Sequence, residues 1–238
     1  MDESLMIEML MEFGMSRQES IIYLCLIRNQ EVSGYEAAKQ TGISRSNVYS
    51  ALAGLVEKGA AYLIEGGTNK YVAVPVQEFC ENKMRRFQKL KENLAQNIRV
   101  AAENTEGYIT VSGYQHIEDK VYTMLEQVQE RLYLAAPSGF IESYQEVLQK
   151  LLDKKLKVVL ITDQLLDLTG AIEYLTVKKE KQIRLIVDSS YVLTGDITGN
   201  ASDTCLYSGQ RNFVNVFKEA LRNEIKLIEL TGGEKQHD

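Results

Sequence analysis

Between Ser33 and Val74 the chain carries a run of punctuation that few folds satisfy: SGYEAAKQTGISRSNVYSALAGLVEKGAAYLIEGGTNKYVAV. Ser33 is placed to cap a short helix with Ala37 and Ala38 turned inward, and Gly42 ends it. Ile43 plugs the following turn. Ser44 then caps a second helix running to about Lys58, on which Val48, Leu52, Leu55 and Val56 share one face at helical spacing. Gly59 stops that helix. Two alternating runs, 61–65 and 70–74, follow it, and Gly66-Gly67-Thr68-Asn69 between them suits a hairpin tip. The spacing predicts a helix-turn-helix followed by a two-stranded wing.

The outward face of the second helix begins Arg45, Ser46, Asn47, then Tyr49 and Ser50. Forked and amide donors suit base edges in a major groove, and hydroxyls suit phosphates. With Ser44 at the cap, Ser33 and Tyr35 at the start of the preceding helix, and Thr68, Asn69 and Lys70 on the wing, they make a candidate interface for double-stranded DNA. A second reading stays open: polar residues at a helix start also serve as solvated caps, and such a module can act as a nonenzymatic adaptor for protein contacts. Charge bears on the choice. Residues 1–75 hold six Lys/Arg (Arg17, Arg28, Lys39, Arg45, Lys58 and Lys70) against nine Asp/Glu. A basic patch must therefore be local, drawn from Arg45, Lys39 and Lys70, with Glu8, Glu12 and Glu19 on the far side.

This stretch resembles the TrmB family of transcriptional regulators of archaea and bacteria. The resemblance is carried by FGMSRQESIIYLCL, by SGYEAAKQTGISRSNVYSALAGLVEKG and by KYVAVPVQEF at the wing exit, about a third of the chain. It departs from the usual pattern at Ala60-Ala61 and at Val76. The resemblance implies a sequence-specific operator binder that reads DNA through residues 44–50 and the wing.

Upstream, a helix over residues 5–13 and another capped by Ser16, with Glu19 at capping-box spacing and Ile22 and Leu26 inward, complete a winged-helix domain over 1–75. Residues 76–103 lack Gly and Pro. Phe79, Phe87, Leu90, Leu94, Ile98 and Ala101 recur there at three- and four-residue steps, with Lys83, Arg85, Arg86, Lys89 and Lys91 among them. That pattern predicts a linker helix over 76–106 and a coiled-coil homodimer through Phe87, Leu90, Leu94 and Ile98. A dimer would set two recognition helices about 34 Å apart on a roughly palindromic operator.

From residue 107 to 238, apolar strands alternate with amphipathic helices, which predicts an α/β domain with a partly parallel sheet. Strands are expected over 108–111, 131–136, 157–162, 183–187, 191–194 and 204–207. Helices are expected over 114–129, 140–152, 171–179 and 211–222, and GGEKQHD reads as a frayed tail. ERLYLAAPSGF, KKLKVVLITD, IRLIVDSSYVLTG and SGQRNFVNVFKEAL resemble the C-terminal domain of the same regulators, which is related to the phospholipase D fold. The fold class is thus α+β multidomain: winged helix-turn-helix, coiled-coil linker and phospholipase D-like regulatory domain.

The resemblance supplies a test for catalysis. Phospholipase D enzymes use HxKxxxxD, in which His attacks phosphorus and Lys neutralises the phosphate. Ended at Asp188, that motif would find Lys181 in place of His and Ile183 in place of Lys, while His116 and His237 lie outside it. GxSxG, HExxH and GxxxxGK[ST] motifs are also absent. We therefore expect no enzyme, no catalytic residue and no cofactor. Asp153, Asp163, Asp167 and Asp188 read as turn formers and helix caps, so no metal site is expected. Ser138, Asp163, Asp188 and Ser208 sit at expected strand ends, where open α/β sheets collect ligands, and form a candidate effector site. Sugar sensing in the family makes a sugar one possible effector; a domain that only dimerises remains the other reading.

Cys25, Cys80 and Cys205 are far apart and form no CxxC pair, which points to a reducing, cytoplasmic setting. Their redox role is open, with Cys25 in an apolar run that reads as core. A net charge of −6 favours solubility, and no apolar run approaches the roughly 20 residues of a membrane span.

Overall fold

The computed structural model describes residues 2–98, 107–176, 181–231 and 235–236. The chain divides into two compact units, Met1–Ala101 and Ala102–Asp238.

The first unit opens with α1 (Glu3–Glu12) and α2 (Arg17–Arg28). The expected capping box at α2 is formed: Glu19 N–H donates to Ser16 Oγ (3.2 Å), and Ser16 N–H donates to the Glu19 carboxylate (2.6 Å). Then come β1 (Val32–Ser33), α3 (Gly34–Thr41), α4 (Arg45–Glu57), β2 (Ala61–Ile64) and β3 (Lys70–Ala73). The three strands form an antiparallel sheet in the order β1-β3-β2. Ile22 and Leu26 of α2 meet Val48, Leu52 and Leu55 of α4 in one core. Ala51 completes that face of α4, whereas Val56, expected inward, is exposed. A position one turn before Leu55 packs where a position next to it points away. Ala60 and Ala61 are both buried, so small side chains fit where the strand passes close to the core.

Tyr23 ties the wing to the helices. Its hydroxyl donates to the Val74 carbonyl (2.7 Å), and burial pushes its pKa up to about 12. Its ring and that of Phe13 lie 6.0 and 6.3 Å from Phe79, the buried residue that anchors α5 (Val76–Asn97). Beyond this anchor α5 is exposed: Phe87 at 49%, Leu90 at 55% and Leu94 at 56%. The helix ends earlier than the periodicity predicts. Ile98 has left it for an extended conformation (φ −91, ψ 110), so it follows the helical apolar stripe rather than belonging to it. Ala101 and the rest of the expected linker to 106 lie outside the described residues.

Glu19 also spans the unit's helices, pairing with Lys58 just past α4 (2.5 Å). Burial alone would raise the Glu19 pKa; hydrogen bonds from Lys58 and Ser16, with the Lys58 charge, hold it below the usual carboxylate range. A depressed native pKa means stability present above the unfolded pKa and lost as pH falls through the native one. Glu19→Ala should therefore cost about 2 kcal/mol near neutral pH, from the lost cap and the stranded Lys58. Calorimetric melts of the first unit should show that this difference shrinks as pH is lowered through the carboxylate range; a pH-independent difference would count against the pair.

The second unit contains β4 (Ile109–Ser112), α6 (Tyr114–Glu126), β5 (Arg131–Ala135), a broken helical stretch of α7 (Ser138–Ile141), a 3₁₀ turn and α8 (Gln145–Asp153), and then β6 (Lys157–Thr162). It continues with β7 (Ile172–Leu175), β8 (Gln182–Val187), β9 (Tyr191–Asp196), β10 (Thr204–Ser208), α9 (Arg211–Leu230) and β11 (Lys235–Gln236). The eight-stranded sheet has the order β11-β7-β6-β5-β8-β9-β10-β4. β5, β6 and β7 are parallel and the remaining pairings antiparallel, the partly parallel sheet expected. Leu132, Leu134, Val158 and Leu160 face α6 and α8, while Ala135, Val159 and Ile161 face α9. Burial on both faces explains why these strands read as continuous apolar runs.

Two expectations are corrected. Residues 172–175 form strand β7 rather than a helix; positions 177–179 lie outside the described residues. Glu173 decides this: it is buried, and its carboxylate accepts from the amides of Leu166 (2.8 Å) and Leu168 (3.2 Å), a tertiary contact that outweighs helix propensity. The last helix continues to Leu230 instead of ending at Arg222, because Val214, Leu221 and Ile228 recur every seven residues against the sheet. Among the described residues no helix is long and apolar enough to cross a membrane. His237 and most of the expected tail are outside the described set.

Candidate nucleic-acid interface

The helix-turn-helix begins with a cap that its own sequence dictates. Glu36 N–H donates to Ser33 Oγ (3.3 Å), and Ser33 N–H returns a bond to the Glu36 carboxylate (2.8 Å). Those bonds from Ser33, backbone first, lower the Glu36 pKa. Ser33 is thereby buried and committed to the cap, so it positions the interface rather than facing a ligand. Gly42 closes α3 in the left-handed region (φ 71), and the partly buried Ile43 packs on the core, as the sequence requires. Ser44 occupies the N-cap position of α4 but makes no side-chain cap; its hydroxyl lies 3.3 Å from that of Ser46. The first amides of α4 are thus left uncapped by side chains, at the positive end of the helix dipole.

Arg45, Ser46, Asn47, Tyr49 and Ser50 are all exposed, while Val48, Leu52 and Leu55 hold the opposite face in the core. Tyr35 is exposed too, and the Arg45 guanidinium stacks 4.7 Å from the centre of its ring. Tyr49 lies across the start of α3 because Gly34 has no side chain: a Cβ there would stand 2.5 Å from Tyr49 Cε1. Thr68 and Asn69 are exposed on the wing.

Lys70 differs from its expected role as a free cation. Its ammonium pairs with Glu31 (2.8 Å), whose bond, ahead of its charge, raises the Lys70 pKa. The pairing follows from the short strand β1, which sets Ser33 opposite Lys70. A two-residue strand leaves no periodicity to read, so no sequence signal marked it. Glu19, expected on an exposed far side, is instead buried against Lys58. With Arg28 paired to Glu3 (2.9 Å), three of the unit's six cations up to residue 75 are neutralised. The other three make no ion pair among the described residues: Arg17 starts α2, while Lys39 and Arg45 lie either side of the turn between α3 and α4 and supply its local positive charge.

Residues 10–77 match the model of a family described as "Sugar-specific transcriptional regulator TrmB". Residues 10–77 are a TrmB domain. The candidate interface, from Ser33 to Lys70, falls inside the match. The chain is 27% identical over 132 residues to the uncharacterized protein YrhO of Bacillus subtilis (54% of this chain, 48% of YrhO). It is 24% identical over 153 residues to the HTH-type sugar sensing transcriptional regulator TrmBL1 of Pyrococcus furiosus (62% of this chain, 45% of TrmBL1). It therefore spans about half the length of these curated relatives. Among solved structures, TrmBL2, an archaeal chromatin protein, aligns over 98% of this chain and 100% of its own at 20% identity and a TM-score of 0.48. Nuc from Salmonella typhimurium, a phospholipase D family member, aligns over 56% of this chain and 99% of its own at 12% identity and a TM-score of 0.44.

The four expected effector residues do not form one constellation. Ser138 and Asp163 follow the C-terminal ends of the parallel strands β5 and β6, where the Ser138 amide donates to Asp163 Oδ1 (2.7 Å) and lowers that carboxyl's pKa. Asp188 and Ser208 end β8 and β10 at the opposite side of the sheet, because β8 runs against β5 and β10 runs against β9. Asp188 accepts from the amides of Gln129, Glu130 and Arg131 (2.9, 2.8 and 2.8 Å), which stabilises its left-handed backbone (φ 50). Burial would raise its pKa, but those three bonds hold it low. Ser208 is buried, donating to the Gly107 carbonyl (3.0 Å) and accepting from the Gln210 amide (3.1 Å). Both act as turn anchors. Beside Asp188 lies a cavity of about 450 Å³, with Tyr191 and Tyr207 stacked at 5.7 Å.

Cys25 and Cys205 are buried, and burial first of all raises both thiols' pKa, Cys205 to about 12. A thiol held protonated is a poor nucleophile, which fits a packing role for both.

Proposed function

We propose that this chain is a sequence-specific DNA-binding regulator of transcription that works as a homodimer. The observation that carries this reading is the Arg45–Ser50 surface: five exposed donor or hydroxyl side chains at the uncapped start of a helix whose back is locked into the core, within a TrmB domain. The exposed Phe87–Leu90–Leu94 stripe of α5 supports pairing, since a second copy would take three large apolar side chains out of water. Two paired TrmB domains then suit a roughly palindromic operator. The second unit is read as the controller, a small-molecule effector shifting the equilibrium between dimer arrangements of unequal DNA affinity. Sugar sensing, named for TrmBL1, makes a sugar the first effector to try.

A phosphodiesterase reading is disfavoured. Ile183, where the motif needs Lys, is wholly buried; Asp188 is engaged by three amides; and His116 is exposed with Nδ1 3.1 Å from the Ser112 carbonyl, outside any such constellation. A cytoplasmic setting is part of the proposal, since the operator lies there.

The adaptor reading is kept alive by the acidic background of the first unit. Selection of bound fragments from randomised duplex DNA at fixed salt separates the two. Enrichment of one motif, in two inverted copies about one helical turn apart, is the expected outcome. Salt-steep binding with no enriched motif would leave only nonspecific contact and remove the regulator reading.

A further inference from the structure

The face of the second unit's sheet that meets α9 holds a cavity of about 320 Å³ whose lining is one-sided in charge. Arg131, Lys157, Lys218, Arg222 and Lys226 line it and, among the described residues, no Asp or Glu does, in a chain of net charge −6. Two rows of like charge produce this. Arg131 and Lys157 are direct partners in the parallel β5–β6 pairing, and like charges side by side on a sheet repel. Lys218, Arg222 and Lys226 follow one another at four-residue steps of α9, the helical spacing at which like charges also repel.

The neighbouring carboxylates relieve little of this. Glu224 pairs with Arg184 (2.7 Å), Glu229 accepts from the Tyr174 hydroxyl (3.3 Å), and Glu130 offsets Arg131 alone (3.2 Å). Among the described residues no carboxylate pairs with Lys157, Lys218, Arg222 or Lys226. Between the two rows the floor is apolar and aromatic, made by Val159, Ile186, Leu221 and the ring of Tyr133. The repulsion is thus built around a concave space of small-ligand size rather than a flat strip that would track a nucleic-acid backbone.

We propose that this cavity binds a small phosphate-bearing effector, its anionic group between the strand and helix cations and its uncharged body on the Tyr133 floor. This rests on reading the second unit as regulatory, and it names where the effector sits and its charge class. Phosphate recruits such clusters through charge-assisted hydrogen bonds. A bound anion would bridge α9 to β5 and β6, so occupancy would bear directly on how that helix is seated.

The test uses the full chain and needs no operator, so it can fail while DNA selection succeeds. Calorimetric titrations compare inorganic phosphate, glucose 6-phosphate and AMP with glucose and adenosine; whichever phosphorylated compound binds tighter identifies the source of the phosphate. We expect the best phosphorylated probe to bind at least about tenfold tighter than its parent. Lys218→Gln with Arg222→Gln should weaken it by about tenfold or more without lowering the ligand-free melting temperature, since it removes like charges that repel, whereas Lys150→Gln on α8 should leave binding unchanged. Four results would overturn the proposal: no phosphorylated probe bound at millimolar concentration, parents bound as tightly, full binding in the double variant, or a double variant that chiefly loses affinity for random duplex DNA.

Discussion

Replacing Leu90 and Leu94 with lysine is expected to turn a dimer into a monomer and to lower operator affinity by about a hundredfold or more. Both side chains are more than half exposed in the single chain, and α5 is held to its unit by Phe79, so neither substitution disturbs the TrmB domain. What they remove is the dry seam proposed for a second copy, which would hold four ammonium groups facing one another instead. The loss is large because a tethered second TrmB domain rebinds at about millimolar effective concentration, which multiplies a weak single-site affinity. Sedimentation equilibrium reads the assembly state, and titration of the selected operator against one half-site reads the coupling. A variant that stays dimeric would place the seam elsewhere; one that becomes monomeric yet binds as before would mean that each half-site is read alone.

Arg45→Ala should cost about 1–3 kcal/mol on the selected operator, roughly ten- to a hundredfold, if the guanidinium reads a base edge. Its stacking over Tyr35 holds the fork in place at the start of α4, so Tyr35→Ala should move affinity the same way by a smaller factor. The two possible uses of the arginine separate experimentally. A base contact relaxes preference at one operator position and hardly touches random DNA, whereas a phosphate contact weakens all sequences alike and lowers the salt slope by about one. Unchanged binding to every sequence would remove this face from the interface and strengthen the adaptor alternative. Lys70→Ala should have the weaker effect of the two cations, because Glu31 already opposes its charge.

The local grammar of the first unit was legible because each signal acts within a few residues. Ser16 with Glu19, Ser33 with Glu36, and Gly42 all close their helices from neighbouring positions, and Val48, Leu52 and Leu55 needed only helical spacing to be placed inward. Where the reading failed, a distant residue had decided the outcome. The segment 172–175 is a strand because one edge pairs with β6 and the other with β11, and Glu173 is held by two loop amides. Ser44 is the exception: it looked like a cap but its hydroxyl lies against that of Ser46, two residues on.

The expected effector site shows the same division. Strand ends were found to within a residue or two, yet Ser138 and Asp163 lie at one end of the sheet and Asp188 and Ser208 at the other. Strand direction is set by pairing partners, which a linear pattern of apolar residues does not encode. The basic cavity was invisible for a related reason: Arg131, Lys157 and Arg222 are far apart along the chain and meet only because β5, β6 and α9 pack together.

By itself, then, the sequence determined that this chain has a winged helix with a polar outward face, an apolar stripe on the helix that follows it and an α/β domain, since short-range spacing and capping chemistry specify each of these. Only the tertiary structure decided which charges remain free to act. Coulombic pairing depends on distance in space, and folding brought Glu31 to Lys70 and Glu19 to Lys58 while gathering five cations around one cavity.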